Sequence, residues 1–155
     1  MSSWLDVALL AVLIVLNGVF AMSEISLVTS RRARLQRLID DKVAGAERAR
    51  ELNADPNRAL STIQVGITSI GILSGIVGES ALARPMEAFL VMVGLSPETA
   101  KAIGLFVVVV LITYFSIVMG ELVPKRIGQI SPERIACRLA PPIHCLSIIL
   151  SLIHI

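Results

Sequence analysis

The chain has 155 residues, 55% of them hydrophobic and 17% charged, with a mean hydropathy of +0.80. Soluble domains carry about 45–50% apolar and about 25% charged residues, so this composition excludes a water-soluble fold of this size and reads as an all-α protein integral to the lipid bilayer. A net charge of +2 and 4% aromatic residues exclude nucleic acid as a partner, because there is no strong basic excess and there are few rings for bases to stack on.

The first apolar block, residues 4–28, is long enough to span, since about 20 helical residues cover a hydrocarbon core of about 30 Å. It is not a signal peptide: Met1-Ser2-Ser3 has no basic side chain and no cleavage pattern follows. Residues 31–58 then carry eight basic and five acidic side chains. Leu35, Leu38 and Ile39 recur at helical spacing, and Asp55-Pro56-Asn57 breaks the segment, which predicts a helical hairpin at the membrane face.

A second span is expected over about 59–83, ended by Arg84-Pro85. Gly94 and Ser96-Pro97 signal a turn, and a third span over about 102–123 is closed by Pro124-Lys125-Arg126. Ser131-Pro132-Glu133 reads as a helix start, and the amphipathic, basic stretch that follows predicts a juxtamembrane belt helix over about 131–155. The run after Pro141-Pro142 is too short to span. Segments 31–58 and 125–138 hold twelve of the 14 basic residues, so the positive-inside rule puts both in the cytosol and the N-terminus outside. Cys137 and Cys145 match no zinc spacing, and cytosolic thiols stay reduced, so both read as small apolar residues of a half-buried helix.

Polar groups enter the spans at comparable depth. Ser23 and Glu24 lie roughly 10–12 Å along the helix from Arg31, and Glu121 about 6 Å from Lys125. In the second span Ser61, Gln64, Thr68, Gly71, Gly75 and Gly78 share one face. Its glycines are the kind of surface that packs helices closely in lipid, whereas Ser61, Gln64 and Thr68 offer oxygen. Pro124 has no N–H, so the carbonyl of Gly120 loses its helical partner beside the Glu121 carboxylate. Glutamate, hydroxyl and carbonyl oxygens are what a hard cation such as Mg2+ takes as ligands. The competing reading is an ion pair of Glu121 with Lys125 four residues on, with Glu24 reaching toward the arginines. Glu79 falls near the opposite face, as an interfacial or mouth charge.

Asn17-Gly18-Val19-Phe20-Ala21-Met22-Ser23-Glu24, Ser30-Arg31-Arg32-Ala33-Arg34-Leu35, Asp55-Pro56-Asn57-Arg58, Leu60-Ser61-Thr62-Ile63-Gln64-Val65-Gly66 and Gly120-Glu121-Leu122-Val123-Pro124-Lys125 together resemble the transmembrane domain of the CorC/cyclin-M (CNNM) family, the hemolysin-like HlyC/CorC proteins. The resemblance implies a homodimeric domain of three spans and a belt helix, residing in the bacterial inner membrane. It further implies Mg2+ efflux with Na+ as coupling ion, and an attached cytosolic CBS domain pair that this chain does not contain. It implies an ion site on Ser23, Glu121 and oxygens of the second span, for which Gln64, Gly66 and Thr68 are the candidates, with Gly120 added by the proline argument. Where members of the family often carry asparagine just after Gly66, this chain has Ile67, so that either Thr68 or a backbone carbonyl substitutes, or the site is weak, altered in ion preference or lost.

The leading expectation is therefore a Mg2+ transport module. The alternative is a non-transporting dimeric anchor for a cytosolic nucleotide-sensing domain. No His-Glu-x-x-His and no Gly-x-Ser-x-Gly occurs, so no enzyme is expected.

Overall fold

A computed structural model of the chain describes residues 3–153. Among these the backbone forms six helices: α1 (Ser3–Thr29), α2 (Arg32–Asp40), α3 (Ala46–Ala54), α4 (Pro56–Met92), α5 (Pro97–Ile130) and α6 (Pro132–Ile153). Three of them, Trp4–Thr29 of α1 together with α4 and α5, are long and apolar enough to cross a membrane. Their outward faces expose Trp4, Ile76, Phe106 and Tyr114, side chains that lipid covers. The protein is an all-α membrane protein.

The second and third spans are longer than the sequence leads one to expect. The helix does not stop at Arg84-Pro85 or at Pro124 but runs on to Met92 and Ile130. The reason is a π turn placed just before each proline, at Glu79–Ala83 and at Val118–Leu122. There the Arg84 and Val123 amides each donate to the carbonyl five residues back, those of Glu79 and Val118. The widened turn relieves the clash between a proline ring and the carbonyl four residues earlier, which normally breaks a helix. At 37 and 34 residues these helices extend about 50 Å or more, so each continues well past the hydrocarbon core.

α4 reverses into α5 through Gly94, whose φ of 105° lies in the left-handed region that favours glycine. The Ser96 hydroxyl then caps α5 by accepting from the Thr99 amide at 3.4 Å.

The expected hairpin is α2 with α3. It packs on α6 through Leu35, Ala46, Ala49 and Leu52 against Ala136, Cys137, Ala140 and Ile143, and Leu27, Ala59 and Ile63 complete this core. Gly45, with φ 81°, brings the hairpin turn so close to the Cys137 carbonyl that no Cβ fits. Polar links brace the same end. The Asn53 side chain donates to the Leu27 carbonyl at 2.8 Å, satisfying an orphan carbonyl of the last turn of α1. Buried Glu133 accepts from the Arg31 amide at 3.3 Å and pairs with Arg34 at 3.8 Å. The belt helix thus begins at Pro132 as expected and runs through Pro141 and Pro142 without a stop; residues 154 and 155 lie outside the described range.

α1 is the central helix, packed on α4 along one side and on the π turn and last turns of α5 along the other. α4 and α5 meet chiefly at the end away from the hairpin, around Ala83, Glu87 and Gly104. Toward the hairpin they diverge, and α1 forms the back wall of the wedge between them.

Candidate cation site

That wedge holds a cavity of about 320 Å3 lined by Asn17, Ser74, Glu79, Thr113, Ser116 and Glu121 among apolar residues. Its most informative residue is Asn17. The Asn17 amide nitrogen donates to the Gly120 carbonyl at 3.1 Å, across from α1 to the π turn of α5. Gly120 is the residue whose carbonyl Pro124 deprives of a helical partner, so a side chain from another helix supplies the missing donor. Glycine at 120 favours this approach: a Cβ there would lie 3.1 Å from the Asn17 amide nitrogen and 3.4 Å from the Ile14 carbonyl, a tight fit that would press on the hydrogen bond. With its nitrogen so used, Asn17 turns its side-chain oxygen into the wall, where that atom is buried with no hydrogen-bond partner. Flipping the amide would set two oxygens face to face, so the orientation follows from the network.

Glu121, the fourth residue of the π turn Val118–Leu122, lines the cavity and also pairs with Lys125 at 2.8 Å. Glu24 of α1 joins the same ammonium at 3.4 Å rather than reaching to the arginines of α2. The four-residue ion pair that the spacing allows is therefore formed, and it extends into a bridge between α1 and α5.

The remaining expected ligands are dispersed. Ser23 is 1% exposed and its hydroxyl donates to the Val19 carbonyl of its own helix at 2.7 Å; it lies about 9 Å further along α1 than Asn17, toward the hairpin. Gly66 packs on the Phe20 ring, which a Cβ would meet at 2.7 Å. Gln64 and Thr68 are exposed, and neither lines the cavity that holds Glu121. The face of α4 that packs inward carries Ala59, Thr62, Ile63, Ile70 and Ser74; the stripe Ser61, Gln64, Thr68, Gly71 and Gly75 lies beside it and is exposed. Gly71 and Gly75 have no atom within 4 Å of an added Cβ, so within one chain they pack against nothing.

Five polar residues of the cavity lie outside the expected set. Asn17 was legible as a lone amide in an apolar run, and Thr113 and Ser116 stand on one face of α5 with Gly120. Ser74 is buried at 6% exposure. Glu79, expected at a mouth, opens into the same cavity as Glu121. Among the described residues no group of three or more His, Cys, Asp or Glu side chains converges as a metal cluster. Any metal here would rely on one carboxylate with neutral oxygens and water.

A three-span helical membrane domain with carboxylates opening into a cavity behind its first helix is the class this fold defines. The chain belongs to the CNNM family, matching the cyclin M transmembrane N-terminal domain over residues 8–155. It is 44% identical over 140 residues to a UPF0053 protein of Synechocystis sp., covering 90% of this chain and 31% of that protein. It is 33% identical to the UPF0053 protein YhdT of Bacillus subtilis, covering 92% of this chain and 31% of that one. It is 32% identical to a polyamine export protein of Escherichia coli K12, covering 84% of this chain and 29% of that one. The chain thus spans about a third of the length of these relatives.

Proposed function

We propose that this chain is the membrane-embedded part of a cation exporter, not an enzyme, and that the cation is held beside Glu121. The observation that carries this reading is the buried, unpartnered oxygen of Asn17, held in the wall of a cavity that a carboxylate also lines. An orphaned buried acceptor costs about 1–3 kcal/mol, and an intramembrane carboxylate is costly as well. A cation offsets both. Mg2+ is the inorganic cargo that such an oxygen set fits, with water completing its six ligands and Na+ as the coupling ion. The basic hairpin side faces the cytosol of the bacterial inner membrane, the chain works as a homodimer, and a CBS domain pair is the partner in the whole protein.

A second cargo, a polyamine, is favoured by the relative named as a polyamine export protein and by the spread of the polar groups along the cavity. Flux of Mg2+ and of spermidine in proteoliposomes containing the purified chain tests the proposal. Export of either cation that Glu121→Gln abolishes is the expected result; flux of both unchanged by Glu121→Gln overturns it. A non-transporting anchor predicts no flux at all.

A further inference from the structure

Glu79 and Glu121 line one cavity but sit far apart within it. Gly78 of α4 lies against the Ile112 side chain of α5, and Gly104 sits so near the Glu87 amide that an added Cβ would lie 3.3 Å from its nitrogen. These contacts fix the antiparallel register of the two helices and set Glu79 level with about residue 111 of α5. Glu121 is then about ten residues further along, or roughly 15 Å. Between the two carboxylates the wall carries hydroxyls, from Thr113, Ser74 and Ser116, beside the aliphatic side chains of Ile112 and Ile117. Among the described residues no basic side chain lies within ion-pair distance of Glu79, and the residue is exposed, so its carboxylate is free to take a cationic group.

A compact hydrated metal ion uses one end of such a cavity at a time and gains nothing from aliphatic walls. A linear polyamine presents the complementary pattern, with ammonium groups at its ends and methylenes between them. We infer that Glu79 is a distal anchor for an elongated polyamine whose other end rests at Glu121, and that the separation of the two carboxylates selects cargo by length. The inference rests on the reading of Glu121 as a cation ligand. An all-trans chain advances about 1.2 Å per bond, so a tetramine such as spermine spans roughly 16 Å and putrescine only about 6 Å. Spermine reaches both carboxylates, spermidine approaches both with the reach of the glutamate side chains, and putrescine engages one.

The test is equilibrium binding of Mg2+, putrescine, spermidine and spermine to the purified chain, with Glu79→Gln and Glu121→Gln beside the unaltered protein. Glu79→Gln is expected to weaken spermine binding tenfold or more while changing putrescine and Mg2+ less than twofold, so that the preference for long amines disappears. Glu121→Gln is expected to weaken all four. An equal effect of Glu79→Gln on short and long amines, or none on spermine, overturns the length-selecting role. Failure of Glu121→Gln to affect any cation instead overturns the reading of Glu121, so the two failures are distinguishable. A disulfide between two chains through Gly75→Cys, formed in full and unaffected by spermine, would mean that a second copy fills the cavity and would also overturn the anchor.

Discussion

The Lys125 ammonium lies 2.8 Å from a carboxylate oxygen of Glu121 and 3.4 Å from one of Glu24, so a tethered cation occupies the place where a free one is proposed to bind. If the carboxylate served only to hold Lys125, removing Lys125 would strand both Glu121 and Glu24 and do at least as much harm as removing Glu121, which leaves the ammonium its Glu24 partner. With Glu121 as a ligand the two substitutions part company. Lys125→Gln frees Glu121 and is expected to tighten Mg2+ binding several-fold at low ionic strength, whereas Glu121→Gln abolishes it, as read by isothermal titration at fixed pH and sodium. Equal loss in both variants would leave a structural ion pair and nothing more.

Asn17→Leu removes the donor that satisfies the Gly120 carbonyl and fills the space of its orphaned oxygen. A buried carbonyl left without a partner costs about 1–3 kcal/mol, so the variant is expected to unfold at lower temperature in detergent and to lose cation binding. Asn17→Asp separates the two roles. It places a second carboxylate in the cavity wall but withdraws the donor from Gly120; stability is expected to fall while divalent-cation binding is retained. A melting temperature of Asn17→Leu equal to that of the unaltered chain would contradict the capping role.

Gly18 faces the ring of Pro124, which a Cβ would meet at 2.8 Å, with the Met119 carbonyl at 3.2 Å. Neither the ring nor the backbone of the π turn is the loose end of a flexible side chain. Gly18→Ala is therefore expected to push α1 away from α5 and cost about 1–3 kcal/mol by overpacking, carrying Asn17 away from Gly120 as it does so. Gly71→Ala, where an added Cβ meets nothing, is the control expected to leave the melting temperature of the isolated chain unchanged.

These residues also mark where the sequence is readable. Apolar blocks announce the three spans, and Leu35, Leu38 and Ile39 announce the hairpin, because water against lipid is a contrast that composition records. Pro85 and Pro124 read as helix ends only while an α turn is assumed; π turns absorb both, and the one before Pro124 is braced by a contact between helices, Asn17 with Gly120, that periodicity does not record. The stripe of Gln64 and Thr68 was visible as a face, but its direction was not. In lipid both the packed and the outward sides of a helix are apolar, so periodicity cannot say which side meets α1. Glu79 was placed by its distance from Arg84, and only the register of α4 on α5 brings it to the cavity of Glu121.

The two cysteines differ although both stand on α6. Cys137 is buried in the hairpin core and Cys145 is exposed. Burial pushes the Cys137 thiol above its ordinary range, and the Glu133 charge adds to the shift, so at neutral pH a maleimide is expected to modify Cys145 and spare Cys137. A raised pKa in the folded state means that the fold holds this proton more tightly than the unfolded chain does. Its contribution to stability is thus intact below the ordinary thiol range and lost as pH rises through it. Mass spectrometry after brief labelling checks the first statement; for the second, Cys137→Ala is expected to flatten the alkaline fall in melting temperature.

The orientation proposed from charge can be tested at positions that the fold leaves accessible. Segments 31–58 and 125–138 hold twelve of the 14 basic residues, and the hairpin joins the first of them to α6 at one end of the bundle. Ala46 and Ala49 in that hairpin are buried, so a cysteine there would resist labelling from either side and report nothing. Glu47 is exposed, as is Ser96 at the opposite turn. In a background with Cys145 replaced by serine, Ser96→Cys is expected to react with an impermeant thiol reagent added to intact cells. Glu47→Cys is expected to react only after the membrane is opened, because moving this many cationic side chains across the bilayer is what the positive-inside bias opposes. Labelling of Glu47→Cys in sealed cells, with Ser96→Cys protected, would invert the topology, and would make the Glu121 end of the cavity the outer one.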